Sequence, residues 1–105
     1  MNQIMVAEEF SSIPGGRYKT DGDYSGEEFR DTCLLPKFKS LKENEILLIN
    51  LDGAYGYPTS FLEEAFGGLA RIFGHETVLK KLEFKSDEEP SLIDEIKGYI
   101  KNAKK

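Results

Sequence analysis

Two neighbouring hydroxyl side chains, Thr59 and Ser60, stand between an apolar run and a segment with helical periodicity. A hydroxyl at a helix start can accept hydrogen bonds from free backbone N–H groups, and Ser60 with Glu63 has the spacing of a capping box. The same place suits a phosphate, because the helix dipole favours negative charge there. The residues leave both interpretations open: a helix cap, which the chemistry alone favours, or a phosphoacceptor site at these hydroxyls.

A second candidate site is Gly15-Gly16-Arg17, which follows a proline. Two glycines can present backbone N–H groups and Arg17 a guanidinium, so the segment could bind an anion. The simpler interpretation is a hairpin turn whose glycines take positive φ and whose arginine is solvated. An alternative function follows from the first interpretation: a small ligand or nucleotide would be held by Arg17, Asp52 and the helix start at Thr59.

The remaining residue types do not form a catalytic or metal-binding set. The chain has one histidine, His75, and one cysteine, Cys33, so no metal-ligand spacing exists, and Cys33 is predicted to be a small core residue. Phosphate-loop, dinucleotide and nucleophile motifs are absent. We therefore predict a protein that is not an enzyme, with no catalytic residue, no cofactor and no metal. The acids Glu63 and Glu64 are predicted to lie on a solvated helix face.

Two elements must position these residues. The apolar run over residues 45–51 predicts a central strand covered on both faces. The helix that comes next is predicted over residues 59–73, with Gly74 as its C-cap. Gly67-Gly68 in its middle predicts a close approach to a sheet or a partner. Its apolar stripe is formed by Phe61, Ala65, Leu69 and Ile72.

The flanking segments complete a small α/β domain. We predict a first strand within residues 3–10, a helix capped by Ser25 and ended by Pro36, a short helix and strand over residues 75–84, and a last helix beginning at Pro90. The prediction is one domain over residues 1–105 with a core at about 3–103. Its fold is a mixed sheet of about four strands flanked by three main helices.

Composition narrows the classes of partner. The chain of 105 residues carries a formal net charge of −5, which disfavours nucleic acid. No apolar run reaches the roughly 20 residues of a membrane span, and no signal sequence is recognisable at the N-terminus. The single cysteine suits a reducing compartment. We predict a cytoplasmic protein that binds neither nucleic acid nor membrane; the sequence does not predict the oligomeric state.

The run LLINLDGAYGYPTSFLEEAFGGL resembles the STAS domain, the anti-anti-sigma-factor fold, at its central strand, turn and helix. In that family a strand ending in Asp/Asn-Leu leads to Asp-Ser-Ser-Gly-Leu, whose first serine is phosphorylated by a partner kinase. The resemblance implies that Thr59 is the phosphoacceptor and Ser60 the second serine. Pro58 stands where the family has aspartate, and Phe61 stands where it has glycine.

More closely, the segments PGGRY, SGEEFR and TSFLEEAFGGL, in that order, resemble a bacterial STAS-like family of unknown function over about residues 8–100. Some members of that family occur fused or adjacent to histidine-kinase-type ATPases. The resemblance implies a regulatory domain for signalling that docks on a protein partner such as an ATPase of this type and is switched by phosphorylation. The predicted docking residues are Tyr55, Tyr57, Pro58, Phe61 and Glu64.

Overall fold

The computed structural model describes residues 2–104, which form one three-stranded sheet and five helices. The strands are β1 (Gln3–Met5), β2 (Leu47–Asn50) and β3 (Leu82–Lys85). Strand β2 lies in the centre and pairs in parallel with both neighbours, because helices cross over between successive strands. The predicted central strand is therefore confirmed.

The prediction of a mixed sheet with about four strands is not confirmed: within residues 2–104 the sheet has three strands, all parallel. The predicted first strand stops at Met5, where the chain turns into helix α1 (Val6–Glu9). The glycine-rich segment after it contains a 3₁₀ turn at Lys19–Asp21 in place of the predicted hairpin. Neither segment therefore supplies an antiparallel strand.

Two of the other helices are long and contain a widened π turn. Helix α2 covers residues 26–40, with α-helical segments at Gly26–Phe29 and Leu35–Ser40 around a π turn at Arg30–Leu34. Helix α3 covers residues 59–73, with α-helical segments at Thr59–Leu62 and Gly68–Phe73 around a π turn at Glu63–Gly67. Helices α4 (His75–Lys81) and α5 (Ser91–Asn102) complete the chain. None of the helices described is both long and apolar enough to span a bilayer.

Helix α2 begins as predicted but does not end as predicted. The Ser25 hydroxyl accepts a hydrogen bond from the Glu28 N–H at 3.0 Å, so Ser25 is the N-cap. Pro36 does not end the helix, which continues to Ser40. The preceding π turn, in which the Leu35 N–H reaches the carbonyl of Arg30, places Pro36 in the first turn of a new α-helical segment, where its missing N–H is tolerated.

One face of the sheet is covered by helices: Ile4 and Ile49 are fully buried there, and Phe84 on the edge strand is half-buried. Ile49 and Phe84 are register partners on the buried face, and Phe84 packs edge-on against Phe66 of α3 at 5.5 Å between ring centroids. On the opposite face Leu48 and Asn50 are half-buried. The predicted cover on both faces is therefore wrong for this face. Helix α3 packs between α2 and α5, so most of the core lies on the α3 side of the sheet.

Candidate functional site

The turn between β2 and α3 lies at the carboxyl end of the central strand, where open α/β sheets place their sites. It is held by hydrogen bonds at three points. The Asn50 side chain accepts from the Asp52 N–H at 3.0 Å, and the Tyr57 hydroxyl donates to the Leu51 carbonyl at 2.8 Å. The Tyr55 N–H donates to the carbonyl of Ser12 at 2.8 Å. The turn therefore has a defined conformation.

Only part of the predicted docking surface is accessible. The Tyr55 side chain is 89% exposed, and Pro58 and Thr59 are also exposed. Tyr57 is half-buried and packs against Phe61 at 6.0 Å between ring centroids. Phe61 itself is buried in the aromatic core and cannot be reached by a partner, so its assignment to the docking surface is wrong. The accessible surface consists of Tyr55, Pro58 and Thr59, which we call the exposed turn.

The start of α3 has no side-chain cap. Pro58 is the N-cap residue, and the first backbone hydrogen bond of the helix is donated by the Leu62 N–H to the Pro58 carbonyl at 3.2 Å. Ser60 is the second helical residue, too far into the helix to act as N-cap. The predicted capping box of Ser60 with Glu63 is therefore wrong, and Thr59 stands at the first helical position on the exposed turn.

The prediction that Glu63 and Glu64 lie on a solvated helix face is wrong. Glu63 bonds to Arg17 and to Arg71, the latter at 2.7 Å between Oε2 and Nη1. Glu64 is buried and bonds to Arg30 at 2.6 Å between Oε2 and Nη1. The hydrogen bond from Arg71 and then that from Arg17 hold the pKa of Glu63 below its usual value. These five side chains form one ionic cluster, so Glu64 is not a docking residue.

The glycine pair in α3 makes room for this ionic cluster. A Cβ atom on Gly68 would lie 2.5 Å from Nη1 of Arg30, and one on Gly67 would lie 2.7 Å from Oε2 of Glu63. We predicted a close approach to a sheet or a partner, but the atoms nearest Gly68 belong to Arg30 of α2, and those nearest Gly67 belong to Glu63 and Arg71 of α3 itself. The sequence carried a signal for this arrangement: each glycine stands four residues, about one helical turn, after a glutamate.

Two of the predicted anion-binding groups, the Gly15 N–H and the Arg17 guanidinium, are engaged within the fold. The Gly15 N–H donates to the Tyr24 carbonyl at 2.7 Å, and the Gly16 carbonyl accepts from the Gly26 N–H at 2.9 Å. The Arg17 guanidinium is paired with Glu63 and Glu64. An anion at this place would have to displace carboxylates, and anion binding here stays a prediction.

Asp52, the other acid named for a ligand site, joins the turn to the loop after β3. Its carboxylate accepts hydrogen bonds from the Glu88 N–H at 3.0 Å, the Lys85 ammonium at 3.0 Å and the Asp87 N–H at 3.2 Å. The bond from the Glu88 N–H contributes most to the lowered pKa of Asp52. A cavity of about 70 Å³ lies beside it, and its lining includes Asp52, Glu88 and Glu89 but no lysine or arginine.

The model of one protein family, described as a STAS-like domain of unknown function, matches residues 25–92. The chain belongs to this STAS-like family. The family resemblance predicted from the sequence is thereby confirmed. No curated protein and no solved structure matches the chain significantly.

The matched part of the STAS-like domain runs from the Ser25 cap through the first residues of α5. It contains the exposed turn, the glycine pair and four members of the ionic cluster, whereas Arg17 and strand β1 lie outside it. His75 is exposed and Cys33 is a half-buried free thiol. Among residues 2–104, no three histidine, cysteine, aspartate or glutamate side chains are grouped so that they could hold a metal.

Proposed function

We propose that this STAS-like domain is a regulatory module without enzymatic activity, which docks on a protein partner through the exposed turn. A histidine-kinase-like ATPase is the partner class that the family resemblance implies. Phosphorylation of Thr59, with Ser60 as the second acceptor, would switch the contact.

The observation that carries the proposal is the exposure of Tyr55. An aromatic side chain that is 89% exposed contributes little to folding and can contribute a large apolar area to an interface. Its backbone is fixed by the bond to Ser12, so docking costs little ordering of the turn. The exposed Pro58 and Thr59 extend the same surface.

The chemistry of the α3 start supports the switch. A phosphate adds a charge of about −1.5 to −2 at neutral pH and three acceptor oxygens. On Thr59 these oxygens would lie beside a helix start that has no side-chain cap, where N–H groups and the helix dipole favour negative charge. The added charge would also change the surface that a partner meets next to Tyr55.

The neighbouring cavity argues against a nucleotide ligand. Its volume of about 70 Å³ is well below the roughly 300 Å³ at which ligand sites begin. The carboxylates of Asp52, Glu88 and Glu89 in its lining would repel phosphate groups. The exposed turn is therefore better suited to another protein than to a small anion.

Docking can be tested with Tyr55→Ala. Purified histidine-kinase-like ATPases from the same genome would be titrated against the domain by isothermal calorimetry. We expect Tyr55→Ala to weaken binding about thirtyfold, since an aromatic hot spot carries about 2 kcal/mol and about 1.4 kcal/mol corresponds to a factor of ten, while the melting temperature stays unchanged. The matched control is Ile72→Ala, another exposed apolar residue, which lies near the far end of α3, roughly 20 Å along the helix axis from Thr59. Equal binding by wild type and Tyr55→Ala would contradict docking through this turn.

Phosphorylation needs a separate test. The domain would be incubated with the same ATPases and ATP, and added phosphate would be mapped by mass spectrometry of proteolytic fragments. We expect one phosphate on the fragment carrying Thr59, and none in the Thr59→Ala, Ser60→Ala double variant. A wild-type protein that gains no phosphate, or a double variant that still gains it, would refute the switch but leave docking standing.

A further inference from the structure

The two edge strands, β1 and β3, differ in whether their outward-pointing backbone groups have hydrogen-bond partners. On the β1 side, the backbone groups of Gln3 and Met5 point away from β2. The Lys37 ammonium donates to the Gln3 carbonyl at 2.9 Å, and the Met5 N–H donates to the Glu9 carboxylate at 2.7 Å. Lys37 and Glu9 also pair with each other at 2.9 Å. This edge is closed to a further strand by two side chains.

The β3 edge is open at Phe84. The Leu51 N–H donates to the Lys85 carbonyl at 2.8 Å, so Glu83 and Lys85 are the β3 residues whose backbone groups bond to β2. Because successive residues of a strand point their backbone groups to opposite sides, the N–H and C=O of Phe84 point outward. Within residues 2–104 no backbone group pairs with either of them.

The residues beside Phe84 complement one another across a two-fold axis. If a second copy of the chain pairs antiparallel with Phe84 opposite Phe84, the two residues exchange both backbone hydrogen bonds. Glu83 then lies opposite Lys85 of the second copy, and Lys85 lies opposite Glu83. These are positions without ladder hydrogen bonds, where Cα atoms approach to about 4.5 Å and side chains are closest. Both side chains are exposed and lie on the sheet face opposite Phe84.

We propose that the open β3 edge binds a second copy of this chain, forming a two-fold symmetric dimer with a continuous six-stranded sheet. The occupant is identified by charge, because Glu83-Phe84-Lys85 read antiparallel is its own electrostatic complement. Lys85 can take part, since its ammonium has three donors, of which Asp52 at 3.0 Å and Asp87 at 2.7 Å occupy two. This inference goes beyond the docking function and does not depend on it, because β3 lies outside the exposed turn.

The test reverses the charge of Glu83 or of Lys85. The monomer–dimer equilibrium of each full-length variant is then measured by sedimentation velocity over a dilution series. We expect wild type to show a reversible monomer–dimer equilibrium. Glu83→Lys places lysine opposite lysine twice in the dimer and should raise the dissociation constant on the order of tenfold. Lys85→Glu should do the same by placing glutamate opposite glutamate. An equimolar mixture of the two variants should form a heterodimer with both pairs restored.

The matched control is Glu8→Lys, the same charge change at an exposed position of α1, beside the closed β1 edge. We expect it to leave the dissociation constant unchanged. A wild type that stays monomeric at its highest soluble concentration overturns the proposal, and so does a dimer that Glu83→Lys does not weaken.

The variant Lys85→Glu could fail to fold, because the substitution brings a third carboxylate next to Asp52 and Asp87. A second measurement, on the wild-type chain, therefore tests the proposal without this variant. Hydrogen exchange of the wild-type Phe84 amide would be followed by nuclear magnetic resonance at rising protein concentration. We expect its protection to increase with the dimer fraction, because the N–H gains a carbonyl partner only in the dimer. Protection that does not change with concentration overturns the proposed register.

Discussion

Replacing Gly68 with alanine sets helix propensity against the ionic cluster, and the structure predicts which effect is larger. In a helix interior, alanine is favoured over glycine by about 1 kcal/mol. Its Cβ, however, would lie 2.5 Å from Nη1 and 3.2 Å from Cδ of Arg30, so the arginine must move. That movement disturbs the bonds from Arg30 to the Glu64 carboxylate at 2.6 Å and to the Glu64 carbonyl at 3.1 Å.

The cost of moving Arg30 depends on its burial. The side chains of Arg30 and Glu64 are only 14% and 12% exposed, so the pair lies between a surface ion pair, worth up to about 1 kcal/mol, and a buried one, whose disruption costs about 3 to 5 kcal/mol. For this partly buried pair we expect a cost of disruption of about 2 to 3 kcal/mol. After the propensity gain is subtracted, Gly68→Ala should destabilise the fold by about 1 to 2 kcal/mol.

The effect of Gly68→Ala on the unfolding free energy should change sign when Arg30 is absent. In an Arg30→Ala background the new Cβ has no guanidinium to displace, so Gly68→Ala should then stabilise by about 1 kcal/mol. The matched control is Gly98→Ala in α5, where a Cβ would meet no atom within 4 Å and the expected change is a gain of about 1 kcal/mol.

Urea unfolding followed by far-ultraviolet circular dichroism would measure all of these variants, since the chain has no tryptophan for fluorescence. A change of about 1 kcal/mol corresponds to a shift of about 4 °C in melting temperature for a domain of this size. If Gly68→Ala stabilises the wild-type background as much as Gly98→Ala does, Arg30 is not held against α3 and the reasoning fails.

Three further predictions concern the turn, the ionic cluster and the α2 cap. Tyr57→Phe removes the hydroxyl that bonds to the Leu51 carbonyl at 2.8 Å and should lower the unfolding free energy by about 1 kcal/mol in urea titrations; an unchanged value would mean that this bond contributes nothing net. The pKa of Glu63 is lower in the folded than in the unfolded chain, so its carboxylate stabilises the fold above about pH 4.3, and this contribution is lost as pH falls through the folded pKa. Glu63→Gln should therefore flatten the acid side of the stability-versus-pH curve, measured by urea unfolding at a series of pH values, and an equally steep curve would contradict it. Ser25→Ala removes the cap on the Glu28 N–H and should cost about 1 kcal/mol, seen as a melting temperature lower by about 4 °C; the same melting temperature as wild type would show that the cap is dispensable.

The elements that could be predicted from sequence are those whose signals are local. The apolar run of β2, the extent of α3 over residues 59–73, the Gly74 stop and the start of α5 beside Pro90 each depend on residues close together in the chain, and the structure agrees with them. The sheet was predicted less well, because whether a segment such as Val6–Glu9 becomes a strand depends on pairing partners distant in sequence.

The π turns explain a specific error in the side-chain assignments. The predicted apolar stripe of α3 included Ile72, which is 45% exposed, whereas Leu69 and Ala70 are buried. A single 3.6-residue period was assumed for the whole helix, but the π turn at Glu63–Gly67 adds a residue and rotates the last α-helical segment about the helix axis. The 3.6-residue period therefore predicts the buried positions correctly within each α-helical segment. It predicts them wrongly when it is continued from one segment across the π turn into the next.

The candidate site was predicted in position but not in detail. The exposed turn was found because aromatic and hydroxyl residues stand between a buried strand and a helix with clear apolar periodicity. The ionic cluster was missed, because Arg17 and Arg30 are 46 and 34 residues away from the glutamates that they bind. A charge pair of that separation leaves no periodic trace, so charged residues on a helix were assigned to solvent, which is the commoner outcome.

The closed β1 edge limits what strand addition can build. A sheet with two open edges can accept a strand on each side, and the product then offers two open edges again, which is how filaments grow. Here Lys37 and Glu9 occupy one edge, so a chain that adds through β3 presents only its own closed edge to the outside. Any assembly made in this way stops at two chains, and the Lys37 and Glu9 side chains that bond to the β1 backbone would keep it finite.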